Sequence, residues 1–391
     1  TLCGPDQRID TDPMQVGLLD TIVAGKPRVD TFTRANYLGA VAARADSFWV
    51  PDHLNGLFPR SLWKPEYTGL ARVSPSIDAF LEPWTMLGHL AARNRIGRLG
   101  LGVCVTDTGR RNPAVTAQAA VTMSQLTRGR FILGIGTGER EGNEPYGVDW
   151  SKPVGRFEEA MATIRALWDS GGELVNRDSP YFPLRNALFD LPAYRGKWPP
   201  VWIAAHGPRM LRIAGRYADG YFPAFPHTPE AYAQRLDAVR SAASDAGRDP
   251  MAITPALCVS VVTGRTNGEV EAAMDSEVMR AACLTASDEM FAKHGLQHPL
   301  GVGFSGAQDL VPQGWDEQTA LSYAKGVTPE LMRELGLVGT PDEVLDKAAQ
   351  WRDAGVRHMV LINGCALQRS AVRGFTSLLP FAQIVRRLKR L

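Results

Sequence analysis

Short apolar runs rich in β-branched residues alternate with longer amphipathic stretches along this chain of 391 residues. Apolar runs of about 4–8 residues are typical of buried strands, and apolar positions repeating every three or four residues are typical of helices. Their alternation predicts a parallel sheet covered by helices. The predicted strands are 16–20, 47–51, 99–105, 131–135, 201–204, 220–222, 254–263 and 359–363. Eight strand-and-helix units predict an α/β fold of the (β/α)8 TIM-barrel type.

The predicted helices follow these strands, and two of them begin at a proline. Proline is favoured in the first turn of a helix, where an N–H group would have no partner in the helix. Pro113 therefore marks the start of a helix that continues through residues 114–126, and Pro208 opens a helix over 208–217. The other helices are predicted at 32–44, 156–168 and 369–388.

Three stretches interrupt this rhythm. Residues 54–80 are rich in proline and aromatic side chains, residues 287–340 are long and mixed, and residues 171–200 are expected to form a hairpin. Connections of such length in a compact domain are usually functional loops or insertions. Without internal repeats or low-complexity tracts, residues 1–391 are predicted to form one domain with insertions near 54–80, 171–200 and 287–340.

Charge and cysteine content narrow the class of protein. The formal net charge of +2 gives no reason to expect binding to nucleic acid or to an anionic membrane through bulk charge. No apolar run approaches the roughly 20 residues that span a bilayer, and no signal peptide is visible, so a cytoplasmic location is expected. The widely spaced cysteines, without a C-x-x-C motif, indicate a reducing compartment and no zinc or redox site. They are Cys3, Cys104, Cys258, Cys283 and Cys365.

Histidines outside the strand ends give little indication of a metal. His294 and His298 are four residues apart, but Gly295 and Pro299 oppose a helix there and no carboxylate completes a ligand set. No metal site is therefore predicted. His227 and His358 are expected to be structural or to lie on the surface.

Polar residues follow several of the predicted strands, where the catalytic loops of such a barrel lie. Asp52 and His53 come directly after the second strand. Histidine titrates near neutral pH, and a neighbouring carboxylate can raise its pKa and orient it, so His53 with Asp52 is a candidate proton donor. The alternative is that Asp52 caps a helix and His53 packs on Pro51.

A glycine-rich run follows the fourth strand. The sequence from Gly134 to Glu139 departs from a dinucleotide fingerprint, because Glu139 stands where the third glycine belongs and no helix opens there. We interpret the glycines as allowing a flat ring to approach the backbone. Glu139 is then a candidate acid beside that ring, or alternatively a surface carboxylate.

The loop after the fifth strand, 205–208, precedes a helix whose N-terminal N–H groups would favour a phosphate. Arg209 adds a positive charge. The alternative is that His206 is a packed loop residue, since many strand-to-helix loops look similar.

At these loops the chain resembles the coenzyme F420-dependent branch of the luciferase-like superfamily, over nearly its whole length. The resemblance is carried by 52–53, 112–115, 134–139 and 204–208. Longer runs resemble members of this branch that reduce the keto group of wax diol esters of the phthiodiolone type. These runs are 82–88, 109–119, 138–147 and 194–199.

The resemblance implies a luciferase-like barrel that transfers a hydride from reduced F420 to a ketone. A cis peptide bond between Cys104 and Val105 is implied, backing the deazaflavin ring. His53, supported by Asp52, is implied to give a proton to the alkoxide, and Glu139 to exchange a proton at the deazaflavin N1 or to steady charge there. The implied cofactor contacts are Asp52, Cys104, Val105, Thr137, Gly138, Glu139, Asn143, Ala205, His206, Gly207 and Pro208.

The residues after His53 depart from those of the sugar-phosphate dehydrogenase in the same branch, which has a catalytic tryptophan nearby and basic residues for the phosphate. Here the loop is apolar, and no basic set is evident. An apolar ketone is therefore expected, with Leu57, Phe58 and Trp63 binding it beside Leu62. The alternative is that these side chains simply pack the insertion onto the barrel.

The expected partners are a small-molecule or lipid ketone, encountered at the membrane surface without a transmembrane segment, and a second copy in a homodimer. No nucleic acid is expected. Two other functions stay open at this point. One is an FMN-dependent monooxygenase on the same barrel, and the other is a non-catalytic protein that binds a flavin or deazaflavin.

Overall fold

The computed structural model describes residues 13–94, 98–224 and 228–391, and the strands there number eleven. They are β1 (Gln15–Leu19), β2 (Ser47–Val50), β3 (Gly100–Asp107), β4 (Phe131–Gly136), β5 (Val175–Arg177), β6 (Leu184–Ala187), β7 (Val201–Ile203), β8 (Gly220–Tyr221), β9 (Thr254–Thr263), β10 (Leu337–Gly339) and β11 (His358–Asn363).

Eight of these strands close into a parallel ring in the order β1-β2-β3-β4-β7-β8-β9-β11. The pairing of β8 with β9 and of β11 with β1 completes the ring. The eight predicted strands are the eight strands of this ring, so the (β/α)8 barrel is confirmed. The largest error in a boundary is at the end of β3, which reaches Asp107 rather than residue 105.

The described part of the chain also forms fourteen α-helices of 6 to 17 residues. They are α1 (Thr31–Ala42), α2 (Pro83–Arg93), α3 (Pro113–Leu126), α4 (Pro153–Trp168), α5 (Pro208–Tyr217), α6 (Pro229–Asp245), α7 (Asn267–Met274), α8 (Glu277–Ala282), α9 (Asp288–Lys293), α10 (Glu317–Lys325), α11 (Pro329–Glu334), α12 (Pro341–Asp353), α13 (Ala371–Thr376) and α14 (Leu378–Leu388). The predictions missed α2 and all the helices from α6 to α12. Of these, α2, α6, α11 and α12 also begin at prolines.

The helix predicted over 369–388 is wrong as a single element, because the chain forms α13 and α14 there. Pro380 has no N–H group to donate to the carbonyl of Thr376, so the helical hydrogen bonds are interrupted at this point. Ser370 starts α13 separately, since its side chain accepts a hydrogen bond from the Arg373 N–H.

The predicted interruptions differ in structure. Residues 171–200 contain the antiparallel pair β5 and β6, so the hairpin is confirmed. Residues 54–80 hold two short 3-10 turns, Arg60–Leu62 and Gly69–Arg72. The segment 287–340 is not wholly an insertion, because β10 pairs in parallel with the far end of β9.

Aromatic side chains pack the interior of the barrel. The rings of Trp49 and Trp202 lie 5.1 Å apart, and His358 lies 5.0 Å from Trp202. Gly102 leaves room for Trp49, since a Cβ there would lie 2.3 Å from the indole. Burial lowers the pKa of His358 to about 4, so this histidine is a neutral, structural residue. The packed interior leaves the carboxyl ends of the strands as the place for chemistry.

In the described part of the chain, none of the helices has the length and apolar character needed to span a membrane. The predicted structural or surface role of His227 and the reduced state of Cys3 concern positions outside the described residues.

Candidate active site

His53 and Glu139 meet at the mouth of the barrel, although 86 positions of chain separate residue 53 from residue 139. His53 follows the end of β2, and its Nδ1 lies 3.4 Å from a carboxylate oxygen of Glu139, which follows β4. The same Nδ1 lies 3.1 Å from Oε1 of Glu141. The ring of Phe80 lies 5.7 Å from the imidazole and limits its movement. Two carboxylates therefore face one nitrogen of a single histidine.

These charges change the protonation of both groups. Burial alone would lower the pKa of His53, but the charge of Glu139 and the hydrogen bond and charge of Glu141 raise it to about 9. Burial raises the pKa of Glu139 to about 7, partly offset by His53. Near neutral pH the imidazole is therefore protonated, and Glu139 is close to half protonated.

The other ring nitrogen of His53, Nε2, makes no hydrogen bond to any residue that the structure describes. The His53 side chain is 20% exposed. With Nδ1 engaged by carboxylates, the proton on Nε2 is the one available to a ligand.

The Asp52 carboxylate does not orient His53, contrary to expectation. It accepts hydrogen bonds from the Thr106 hydroxyl (2.7 Å) and from Arg111 Nε (3.0 Å) instead. Successive side chains in extended backbone point to opposite sides, so neighbours in sequence face different surroundings. Although burial would raise the pKa of Asp52, Arg110 and Arg111 lower it below the ordinary value. Asp52 is thus an anionic anchor for the loop after β3.

Glu141 and Arg110 are site residues that the sequence did not single out. Glu141 is fully buried, and its Oε2 has no hydrogen-bond partner among the described residues. Arg110 donates to Asp107 (2.7 Å) and to the backbone carbonyl of Asp52, which ties the loops after β2 and β3 together. Both glutamates lie in the polar loop 136–144 after β4, and the sequence of this loop does not distinguish buried Glu141 from exposed Glu144.

The end of β3 carries an irregularity beside the site. The Cys104–Val105 peptide bond is cis, as the resemblance implies, and the pairing of β3 with β4 shifts between Val103 and Thr106. Gly134 makes this possible, because a Cβ there would lie 2.0 Å from the Val103 carbonyl oxygen. The half-buried Cys104 and Val105 side chains pack at the edge of the inner aromatic cluster.

The glycine-rich turn after β4 is held by buried polar contacts. Gly138 has φ +85°, and a Cβ there would lie 2.7 Å from that of Asp107. Asn143 is fully buried and donates to the Glu139 carbonyl (2.8 Å) and to Asp107 (3.2 Å). Asn143 therefore stabilises the turn through its side-chain nitrogen, while its Oδ1 has no hydrogen-bond partner among the described residues. Its predicted contact with the cofactor stays a prediction. Thr137 is half-buried at its start.

The loop before α5 exposes backbone at the N-terminus of that helix. Gly207 is the N-cap and makes no side-chain capping bond, and Pro208 is the first helical residue. His206, Gly207 and Pro208 are exposed, whereas Ala205 is buried. An open helix N-terminus at the mouth of the barrel is suited to an anionic group.

The apolar residues after His53 divide into two groups. Trp63 is only 8% exposed, and its indole N–H donates to the Ser74 carbonyl (2.6 Å). Its ring joins a cluster with Leu62 and the apolar faces of the later helices, which favours the packing alternative for Trp63 over the predicted substrate contact. Leu57 and Phe58 remain half-buried, with Phe58 at the edge of that cluster.

His53, Glu139 and Glu141 place ligand atoms within 4.8 Å of one another, a spacing that a metal ion could use. A metal requires the imidazole nitrogen to be deprotonated. The raised pKa of His53 opposes this. The arrangement is therefore better suited to holding and donating a proton.

Comparison with known proteins places this barrel in a family. The model of a family described as luciferase-like monooxygenase matches residues 14–358. The chain belongs to this family.

Two relatives carry the name phthiodiolone/phenolphthiodiolone dimycocerosates ketoreductase. The protein of Mycobacterium sp. (strain JLS) is 69% identical over 377 residues, covering 96% of this chain and 99% of the relative. That of Mycobacterium tuberculosis (strain ATCC 25618 / H37Rv) is 57% identical over 379 residues, covering 97% and 99%. At this identity and coverage, the luciferase-like chain is an oxidoreductase.

A solved structure shares the fold. It is an F420-dependent secondary alcohol dehydrogenase in complex with an F420–acetone adduct, and it superposes with a TM-score of 0.73 at 19% identity. The match covers 95% of this chain and 98% of the other. At that level of identity the likeness establishes the fold alone.

Proposed function

We propose that the protein is an F420-dependent ketoreductase acting on the keto group of phthiodiolone- or phenolphthiodiolone-type dimycocerosate lipids. The names of relatives 69% and 57% identical over nearly their whole lengths support the substrate class. The observation that carries the proposal is the position of His53 at the mouth of the barrel, where its Nδ1 faces the carboxylates of Glu139 (3.4 Å) and Glu141 (3.1 Å). Reduction of a ketone requires a proton donor of this kind for the developing alkoxide.

Three features of the chain fit a deazaflavin with a phosphate-bearing tail. The irregular backbone at Cys104–Val105 lies beside the inner aromatic cluster and offers an apolar wall. The turn at Gly138 carries Glu139, whose side chain stays 29% exposed. The uncapped N-terminus of α5 at Gly207 suits the phosphate. When bound, reduced F420 supplies the hydride for the reduction.

The chain's own residues supply the proton. His53 gives its Nε2 proton to the substrate oxygen, and the imidazole becomes neutral. Glu141 fixes the ring through Nδ1 at 3.1 Å, so that Nε2 is left for the substrate. Glu139, whose carboxylate lies 3.4 Å from Nδ1 and whose pKa is about 7, balances the charge of the imidazolium and is proposed to exchange a proton with the bound deazaflavin or to steady charge there.

Only the keto end of such a lipid enters the barrel. Ligand pockets hold about 300–1,000 Å³, which is too little for long acyl chains as well. Leu57 and Phe58, half-buried after His53, are proposed to contact the keto end. The acyl chains remain outside, so the enzyme works at a membrane surface.

A cytoplasmic location and a homodimer complete the proposal. Free thiols at the four described cysteines are typical of a reducing compartment.

Side-by-side titration with F420 and FMN, followed by turnover assays, tests the proposal. We expect tighter binding of F420, and reduction of a long-chain phthiodiolone in detergent and of a short ketodiol. Tighter FMN binding with oxygen-dependent turnover would indicate a monooxygenase instead. Binding without turnover would indicate a carrier, and oxidation of glucose 6-phosphate with neither ketone reduced would exclude the lipid-ketone assignment.

A further inference from the structure

Four large apolar side chains stand exposed where α13 is followed by α14. Val372 is 73% exposed, Phe375 and Leu379 are each 74% exposed, and Leu378 is 40% exposed. Ser377, between the helices, keeps helical dihedral angles (φ −67°, ψ −13°). The spacing 372, 375 and 379 therefore places three of these side chains on one face. Single exposed apolar residues are ordinary, but a contiguous group of them indicates a binding surface.

This group lies at the same end of the barrel as His53. It follows β11, whose carboxyl end leads into α13 through the turn Gly364–Leu367. Gly69 fixes α13 to the insertion 54–80, because its N–H donates to the Gln368 carbonyl (3.0 Å). A Cβ at Gly69 would lie 2.3 Å from the Ala371 nitrogen, so the two segments are in close contact.

Two further apolar side chains extend the surface. Val73, 40% exposed, follows the turn that contacts α13. Its carbonyl accepts a hydrogen bond from the Lys26 N–H (2.9 Å), and Gly25 N–H donates to the Val29 carbonyl (3.3 Å). Val29 is 60% exposed. We use the name rim surface for residues 26–29, 72–73 and 372–379.

One stretch of backbone connects the rim surface to the proton donor. Residues 73–81 run alongside 22–26, with hydrogen bonds from Ala24 N–H to the Ala79 carbonyl (2.8 Å) and from Leu81 N–H to the Ile22 carbonyl (3.0 Å). Phe80, near the end of this stretch, contacts His53. The seven residue steps from Val73 to Phe80 span at most about 25 Å. A lipid chain held at the rim surface can therefore reach the mouth.

The charge of the rim surface is positive. In segments 24–34, 69–76 and 368–379 the one acidic residue is Asp30, which is buried and paired with Arg28. The basic residues there are Lys26, Arg28, Arg34, Arg72, Arg369 and Arg373. Of these, Arg369 pairs with Glu277. Glu269 lies close enough to Arg373 to be affected by its charge, but forms its ion pair with Arg265.

We propose that the rim surface docks the protein on an anionic lipid surface that holds the substrate. Exposed apolar side chains among basic ones are the combination that binds such interfaces. A second copy of the chain fits less well, because a two-fold contact would place the same basic residues opposite each other. The inference rests on the proposed function, because docking on a lipid surface serves an enzyme whose substrate keeps its acyl chains outside the barrel.

Sedimentation with phosphatidylcholine vesicles, with and without 30% phosphatidylglycerol, tests the docking. We expect the wild-type protein to bind the anionic vesicles at least tenfold more tightly than the phosphatidylcholine vesicles. This preference should become smaller at high salt. Phe375→Ser with Leu379→Ser should reduce that binding at least tenfold, and Arg72→Glu with Arg373→Glu should remove the preference for anionic vesicles. Leu174→Ser with Leu188→Ser is the matched control, because those side chains are 59% and 63% exposed on the hairpin segment.

Equal binding to both vesicle types, or equal loss in the control, would overturn the docking proposal. The proposal would also be overturned if the wild-type protein were a dimer that the Phe375 and Leu379 substitutions dissociate while vesicle binding persists. A second copy of the chain would then occupy the rim surface. Vesicle binding needs neither cofactor nor turnover, so its outcome is separate from that of the F420 assays. All variants should reduce a short soluble ketone at the wild-type rate, and the Phe375 and Leu379 variant should lose turnover of vesicle-held ketone.

Discussion

Two histidines at opposite ends of this barrel have opposite protonation. His358 begins β11 inside the packed interior, where its partners are the Ser47 hydroxyl (2.9 Å) and the Gln15 amide oxygen (3.0 Å). Burial lowers its pKa to about 4. His53 follows β2 at the mouth, where Glu139 and Glu141 overcome burial and raise its pKa to about 9.

The comparison shows that burial alone does not create a catalytic group. Neutral partners leave His358 as an uncharged packing element, whereas carboxylates make His53 an acid that is charged at neutral pH. The position of each residue along its strand decides which partners it meets, because only the strand ends meet the polar loops. Substitutions at each end of the barrel test this difference between the two histidines.

Replacing His53 by alanine should have the largest effect. Loss of a general acid typically lowers the rate about 10²–10⁴-fold, and the loss should appear in kcat because the proton is given in the transition state. Single-turnover reduction of a soluble ketone by reduced F420 measures it, with F420 affinity and thermal midpoint as controls for folding. Wild-type turnover in this variant would remove His53 from the mechanism.

Glu141→Gln should have the next largest effect. The amide can still accept a hydrogen bond from Nδ1, but one of the two negative charges that raise the pKa of His53 is gone, while that of Glu139 remains. Activity that needs protonated His53 is present below about pH 9 and is lost as pH rises through that value. In the variant this loss should begin at lower pH. At a pH above both pKa values, the rate should fall about tenfold for each unit by which the pKa is lowered.

The matched control is Glu144→Gln, since Glu144 lies in the same loop, is 55% exposed and pairs with Arg140 rather than His53. Its pH–rate profile should match that of the wild type. An unchanged profile in the Glu141 variant would show that Glu141 does not act on His53.

His358→Leu should alter stability and not chemistry. The substitution removes a hydrogen-bond partner of Ser47 and Gln15. Ser47 is buried, and a buried group left unpaired costs about 1–3 kcal/mol, whereas the exposed Gln15 can turn to water. Denaturant unfolding should show this loss, while kcat with a soluble ketone stays at the wild-type value. A large fall in kcat without loss of stability would contradict the structural role.

A further effect is expected on how stability depends on pH. His53 has a folded pKa above its unfolded value, so its contribution is complete below about pH 6.5 and is lost as pH rises through about 9. His358 has a folded pKa below its unfolded value, so its contribution is present above about pH 6.5 and is lost as pH falls through about 4. Each unit of difference is worth about 1.4 kcal/mol. Thermal midpoints of the His53→Ala and His358→Leu variants should be measured from about pH 4 to about pH 9. The difference from the wild type should change between about pH 6.5 and 9 for the first variant and between about pH 4 and 6.5 for the second.

The strands could be predicted from sequence because a buried parallel strand is a continuous run of apolar residues. For β9 the predicted bounds, 254–263, are those observed. The helices were harder, since α13 and α14 look like one amphipathic stretch until the missing N–H of Pro380 is considered. The strand-end rule located His53 and Glu139 because it depends only on chain order.

Contacts between distant segments set the limits of prediction at the site. Glu141 and Glu144 are equivalent in sequence, and only the turn Arg140–Gly142 buries the first and exposes the second. Trp63 looked like a substrate contact because its partners in the later helices cannot be read from its own loop. Asp52 was paired with the wrong neighbour, because adjacent side chains in extended backbone diverge.

The most direct test of the account is the pKa of His53 itself. Histidine-labelled protein, with the His53 signal assigned by its absence in the alanine variant, can be titrated by nuclear magnetic resonance. We expect a pKa of about 9 for His53, and a lower one in the Glu141→Gln protein. A pKa at or below the ordinary value of about 6.5 in the wild type would contradict the claim that two carboxylates hold His53 as the proton donor.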